Sequence, residues 1–138
     1  MLRDMRRVLS QALLIVTLLG CLPDPEPLAV DEWATSTCQV LNRTLGQLRS
    51  DEPDHQLSQS LAEAVDELLA IEPPSEVGRL HDMLGDELEG LSGKARDLSG
   101  SGASWRRYRD ESLARVRAVV DDLPSDTRAL FNAACDPF

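Results

Sequence analysis

Asp31-Glu32-Trp33-Ala34-Thr35-Ser36-Thr37-Cys38-Gln39-Val40-Leu41-Asn42-Arg43-Thr44-Leu45-Gly46-Gln47-Leu48-Arg49-Ser50 is the stretch on which the fold turns. Within it Ala34, Cys38, Leu41, Leu45 and Leu48 step by four, three, four and three positions. That spacing lays apolar side chains along one face of an α-helix. A half-buried strand needs alternation with period two, and no segment of the chain sustains it. Asp31 stands where an N-cap is expected, and Asp51-Glu52-Pro53 closes the segment.

The same period continues toward the C-terminus. Asp54 is placed to cap a second helix with Leu57, Leu61, Ala64, Val65 and Leu68 inward, ending before Pro73-Pro74. Ser75 is placed to cap a third, whose stripe is Val77, Leu80, Leu84, Leu88, Leu91, Ala95 and Leu98. Gly78, Gly85, Gly90 and Gly93 fall inside it, each costing about 1 kcal/mol against Ala in a helix interior. Such a helix is either packed closely by a neighbour or broken near residue 90. Ser99-Gly100-Ser101-Gly102 reads as a flexible connection. A fourth helix over about 103–122 turns Trp105, Tyr108, Val116, Val119, Val120 and Leu123 inward. Pro124-Ser125 restarts a short fifth helix carrying Leu130, Phe131 and Ala134. The expected fold is all-α: a small up-down bundle of about four helices plus a short C-terminal helix.

Before residue 31 the chain belongs to a different regime. Arg3, Arg6 and Arg7 form a basic start, and Val8 to Leu19 an apolar run broken only by Ser10, Gln11 and Thr17. The run is short of the ~20 residues a spanning helix needs. Leu22-Pro23-Asp24-Pro25-Glu26-Pro27 follows, which neither continues a helix nor suits lipid. A secretory signal has this layout. At its end, Leu18-Leu19-Gly20-Cys21 resembles the lipobox of bacterial lipoprotein precursors. An aliphatic residue at −3 and a small one at −1 precede the cysteine, although Leu19 is larger than the family usually has at −2. The resemblance covers residues 1–21 alone. It implies cleavage before Cys21, acylation of Cys21, and a chain held on the membrane by two or three acyl chains, where one would bind only weakly. Residues 1–20 are then a signal peptide, 21–30 a lipidated Cys and Pro-rich tether, and 31–138 a helical bundle domain. Leu22 lacks the Asp that often retains lipoproteins in the inner membrane, so either the cell membrane or the outer membrane fits. Arg6-Arg7 leaves the export route open.

With Cys21 assigned to lipid by that resemblance, two of the three cysteines remain, Cys38 and Cys135. Outside the cytoplasm such a pair is most economically a disulfide closing the bundle. The alternatives are buried free thiols or metal ligands, and neither cysteine has a Cys or His neighbour at ligand spacing.

Composition bounds the partners. The 138 residues hold 24 acidic and 14 basic side chains, a net charge of −10, and only two Trp, one Tyr and two Phe. Removing Arg3, Arg6, Arg7 and Asp4 with the signal leaves the rest more acidic still. Such a surface repels polyphosphate, and few rings are present for bases to stack on, so nucleic acid is not expected as a partner.

No catalytic constellation stands out. His55 and His81 lie far apart, and His81 with Asp82 and Asp86 makes at best a partial metal site that reads equally as a solvated face. No serine sits in a strand-to-helix elbow, and Ser99-Gly100-Ser101-Gly102 lacks the Lys of a phosphate loop. No cofactor is expected. The exception to the acidic background is Arg106, Arg107, Arg109, Arg115 and Arg117, interleaved with Trp105 and Tyr108. Arg106, Arg107 and Arg109 are the candidate contacts for lipid phosphate or an acidic partner. The plainer expectation pairs these arginines with the acidic second and third helices. The functional expectation is a non-catalytic envelope lipoprotein that binds another envelope protein. One alternative is a small apolar ligand held near Trp105 and Phe131. Another is a pilotin-like role, since pilotins are small helical lipoproteins with one disulfide that guide secretin subunits. That likeness is of overall plan, with no residue motif behind it.

Overall fold

Five apolar stripes become five helices. The computed structural model describes residues 26–49 and 52–135, and no strand occurs among them. The helices are α1 (Val30–Leu48), α2 (His55–Leu69), α3 (Gly78–Asp97), α4 (Gly102–Asp121) and α5 (Ser125–Ala134). Short connections turn α1 to α4 up and down beside one another. α2 and α3 make the most extensive contact, and α5 turns back onto α1.

Helix starts follow the sequence unevenly. Asp54 caps α2 as expected, its Oδ1 accepting from the Leu57 amide at 2.6 Å. Asp31 does not cap α1. The Trp33 amide donates to Ala29 O at 2.8 Å, which moves the cap two residues earlier, to Ala29, and puts Asp31 and Glu32 in the first turn. There their charges favour the positive end of the helix dipole. Ser75 does not cap α3 either. Val77 holds that position, fully buried, its amide bonded to Pro74 O, so apolar burial overrides side-chain capping.

The glycines of α3 do not break it. A Cβ added at Gly90 would lie 2.7 Å from the Tyr108 hydroxyl of α4, so this position is small because a neighbour fills the space. At Gly85 the same atom would touch Leu69 at an ordinary 3.6 Å, and at Gly93 nothing lies within 4 Å. The register of α2 against α3 is set by a reciprocal pair: the Ser58 hydroxyl donates to Ser92 O and the Ser92 hydroxyl to Ser58 O, each at 2.8 Å. Residues near the start of one helix and the end of the other thus meet, as antiparallel neighbours must. Gly100, at φ 81°, makes the turn into α4.

Trp33, Leu61, Leu68, Leu80, Leu84, Leu91, Trp105 and Phe131 are buried almost completely and form one continuous core. Leu130, one of the apolar residues that marked this helix, is 45% exposed; Thr127 and Phe131 make the buried line of α5 and leave Leu130 to one side. Cys38 and Cys135 are joined by a disulfide with their Cα atoms 5.1 Å apart, closing the bundle across 97 positions. The domain also begins earlier than residue 31. Leu28 packs on the core and its amide donates to Glu72 O at 3.3 Å, so it belongs to the packed domain and not to the expected 21–30 tether. Cys21 and the expected signal segment lie outside the described residues.

The glycine geometry gives an ordered expectation. Gly93→Ala should stabilise the domain by about 0.5–1 kcal/mol through helix propensity alone. Gly90→Ala should stabilise less or destabilise, because Tyr108 must give way. Urea midpoints of the two variants check this, and a larger gain at Gly90 contradicts it.

Candidate functional site

Three groupings of polar side chains emerge once the helices pack. The first lies at the end of the bundle where α1 and α3 begin. Trp33 is wholly buried, and its Nε1–H donates to His81 Nδ1 at 3.1 Å. His81 is itself only 3% exposed, and Phe131 lies against the indole with ring centroids 5.8 Å apart. The acceptor role of Nδ1 places the imidazole proton on Nε2 and occupies the ring's one lone pair. Burial pulls His81 below its usual pKa, opposed by the carboxylates of Asp82 and Glu72. This histidine therefore belongs to the core. It cannot share a cation with Asp82 and Asp86, which face solvent. No cluster of three or more metal-binding side chains occurs among the described residues.

The second grouping joins α3 to α4. Glu87 accepts from Ser112 Oγ at 2.6 Å and from Arg115 at 2.6 and 2.9 Å. Burial raises the Glu87 pKa, but the hydrogen bonds from Arg115 and Ser112 outweigh it and hold the carboxyl below its usual range. The hydrogen bond to Glu87 raises Arg115 in turn. Tyr108 lies beneath two cations, Lys94 at 5.8 Å and Arg115 at 6.0 Å from its centroid. The group is a bidentate pair with every oxygen in use, which fixes how α4 sits on α3.

The arginines of α4 therefore divide. Arg115 finds an acidic partner on α3, as the plainer expectation had it. Arg109 does not go to α2 or α3: it donates to Leu48 O at 3.1 Å, satisfying a carbonyl at the end of α1, and reaches Asp110 at 3.0 Å. Arg106 and Arg107 are exposed and project from the outer side of α4. The structure does not gather the three candidate contacts into one site, because Arg109 serves the interior.

The third grouping is an open face between α2 and α3. Val65, Ser92 and Gly93, partly buried, form the floor of a shallow groove of about 500 Å³, with Ala62, Asp66, Leu69, Glu89 and Arg96 around it. Leu69 is 62% exposed, the most exposed large apolar side chain among the described residues. Sequence reasoning passed over this face. Its signal was present: Gln59, Ala62, Asp66 and Leu69 step by three, four and three, and Asp86, Glu89, Gly93 and Arg96 by the same intervals. By contrast, a crevice bordered by Leu41, Leu84, Leu88 and Val116 holds about 20 Å³, room for one water.

His81 and Glu87 give pH sensitivity with one sign. A histidine with a lowered folded pKa binds fewer protons folded than unfolded, so stability falls as pH drops below about 6.5. Glu87 adds a second loss below its unfolded value, as pH falls through its lowered folded one. Between pH 7.5 and 5.5 the unfolding free energy should therefore decline, at no more than about 1.4 kcal/mol per pH unit. His81→Gln, which keeps an acceptor for Trp33, should flatten that decline. An equal slope in the variant contradicts the assignment.

No protein-family model, curated protein or solved structure matches the chain, so its functional reading rests on its own residues.

Proposed function

We propose that the chain is a membrane-anchored envelope lipoprotein that works by holding another protein, without catalysing a reaction. The observation that carries the reading is Leu18-Leu19-Gly20-Cys21 behind a basic, apolar leader, only seven positions before the chain docks at Leu28. That separation allows about 20 Å of extended, proline-rich chain between the acylated cysteine and the bundle. The domain then stands near the bilayer but more than a Debye length (~8 Å) from its headgroups. Among the described residues no helix is long and apolar enough to cross a membrane. The holding role draws support from the open α2–α3 face, where a leucine and several carboxylates lie at solvent. Two polar groupings of the interior are occupied in joining helices: Trp33 with His81, and Glu87 with Ser112 and Arg115.

The anchoring is tested in the producing cell. Wild-type chain should fractionate with membranes and incorporate labelled palmitate, and Cys21→Ser should abolish the label and release the protein from the membrane fraction. A variant that stays in membranes as the wild type does would contradict the reading.

A further inference from the structure

The geometry points to the α2–α3 groove as the docking site for a basic amphipathic helix of the partner protein; this deepens the holding role proposed above and rests on it. Two features of α2 and α3 have no explanation inside the domain. Gly93 costs helix stability, yet unlike Gly85 and Gly90 it faces no neighbour that a methyl group would meet. Leu69 leaves most of its surface in water at the end of a helix whose other leucines, Leu57, Leu61 and Leu68, are buried. Both belong to the same groove, Gly93 in its floor and Leu69 on its edge. Its walls are fixed by the reciprocal Ser58–Ser92 hydrogen bonds, so a ligand meets a formed surface and little ordering is required.

Charge selects the occupant. Glu67 and Glu87 have cations of their own, Arg43 and Arg115. Asp66 and Glu89 border the groove and face solvent with no salt-bridge partner among the described residues, and Asp86 is exposed one turn before Glu89 on α3, so carboxylates outnumber the one bordering cation, Arg96. An anionic lipid surface or an acidic peptide would be repelled there, whereas Lys and Arg are attracted. Geometry selects a helix. Ala62 and Leu69 are seven residues apart, about 10 Å along α2, which matches apolar side chains at i and i+7 of an incoming helix. One such residue fills the hollow over Gly93 and the next packs on Leu69. Cations on the same helix then reach Asp66, Asp86 and Glu89.

The test is a titration of the full chain, in neutral maltoside micelles, with a labelled 18-residue peptide of Leu and Lys arranged as an amphipathic helix. A peptide of the same composition with its leucines spread around the helix serves as control, and empty micelles as background. The amphipathic peptide should bind at least tenfold more tightly than the control. Gly93→Leu, which has open space for its side chain, should weaken binding at least tenfold while the thermal midpoint holds or rises. The Asp66→Asn, Glu89→Gln double variant should also weaken it, and Asp121→Asn with Asp122→Asn, removing the same charge at the end of α4, should not. Equal binding of the two peptides, wild-type affinity in Gly93→Leu, or equal loss from the remote double variant overturns the proposal. Cys21→Ser leaves this titration unchanged, so failure of the anchor and failure of the groove are read separately.

Discussion

The joint at the start of α1 holds the rest of the fold together. Trp33 is inserted between His81 of α3 and Phe131 of α5, and Cys38, on the next turns of the same helix, is bonded to Cys135 directly after α5. α5 has ten residues, too few to be stable alone. It persists because Phe131 is buried on Trp33 and the chain beyond it is covalently held. Cross-linking two points 97 apart contributes at most about 4.7 kcal/mol on chain-entropy reasoning. A domain of this size has roughly 5–15 kcal/mol of stability in all. The bond is thus a large share of what keeps α5, and with it one wall of the core, in place.

That dependence fits the rest of the interior. Rings are few, α3 carries four glycines within its bounds, and Thr37 Oγ1 and Trp105 Nε1 are buried without a hydrogen-bond partner. An unpartnered buried polar atom costs about 1–3 kcal/mol. Polar contacts instead define positions. Ser58 with Ser92 fixes α2 on α3, Glu87 with Ser112 and Arg115 fixes α3 on α4, and Arg109 on Leu48 O ties α4 to the end of α1. These three helix pairs each have a directional bond, which helps hold their apolar stripes in one register. The α2–α3 pair comes out as a firm surface, and its outer side is where the proposed partner would dock.

Much of this was legible in the chain. The stripes from Ala34 to Phe131 gave five helices and their inward faces, because a period of 3.6 leaves little choice of which side is buried. Asp54 was readable as a cap. Asp31 and Ser75 misled because capping is worth about 1 kcal/mol, less than seating Leu28 or Val77 in the core. His81 and Ser112 were harder to see. Each lies in an apolar stripe, His81 between Val77 and Leu84 and Ser112 between Trp105 and Val116, and a polar residue there reads as a gap until its partner on another helix is known. Trp33 hid for a similar reason: the stripe through Ala34 accounts for one side of α1, while its burial comes from α3 and α5. The groove went unread because its small residues and carboxylates are ordinary surface until two helices set them side by side.

The most direct test of the central tie is urea unfolding followed by tryptophan fluorescence, with and without reductant. Peptide mapping of thiol-labelled, denatured chain identifies the cysteines involved. The oxidised protein should show no label at Cys38 or Cys135, and reduction should lower the unfolding free energy by about 3–4.7 kcal/mol. Labelling of both cysteines before reduction, or the same midpoint in the two conditions, would contradict the account.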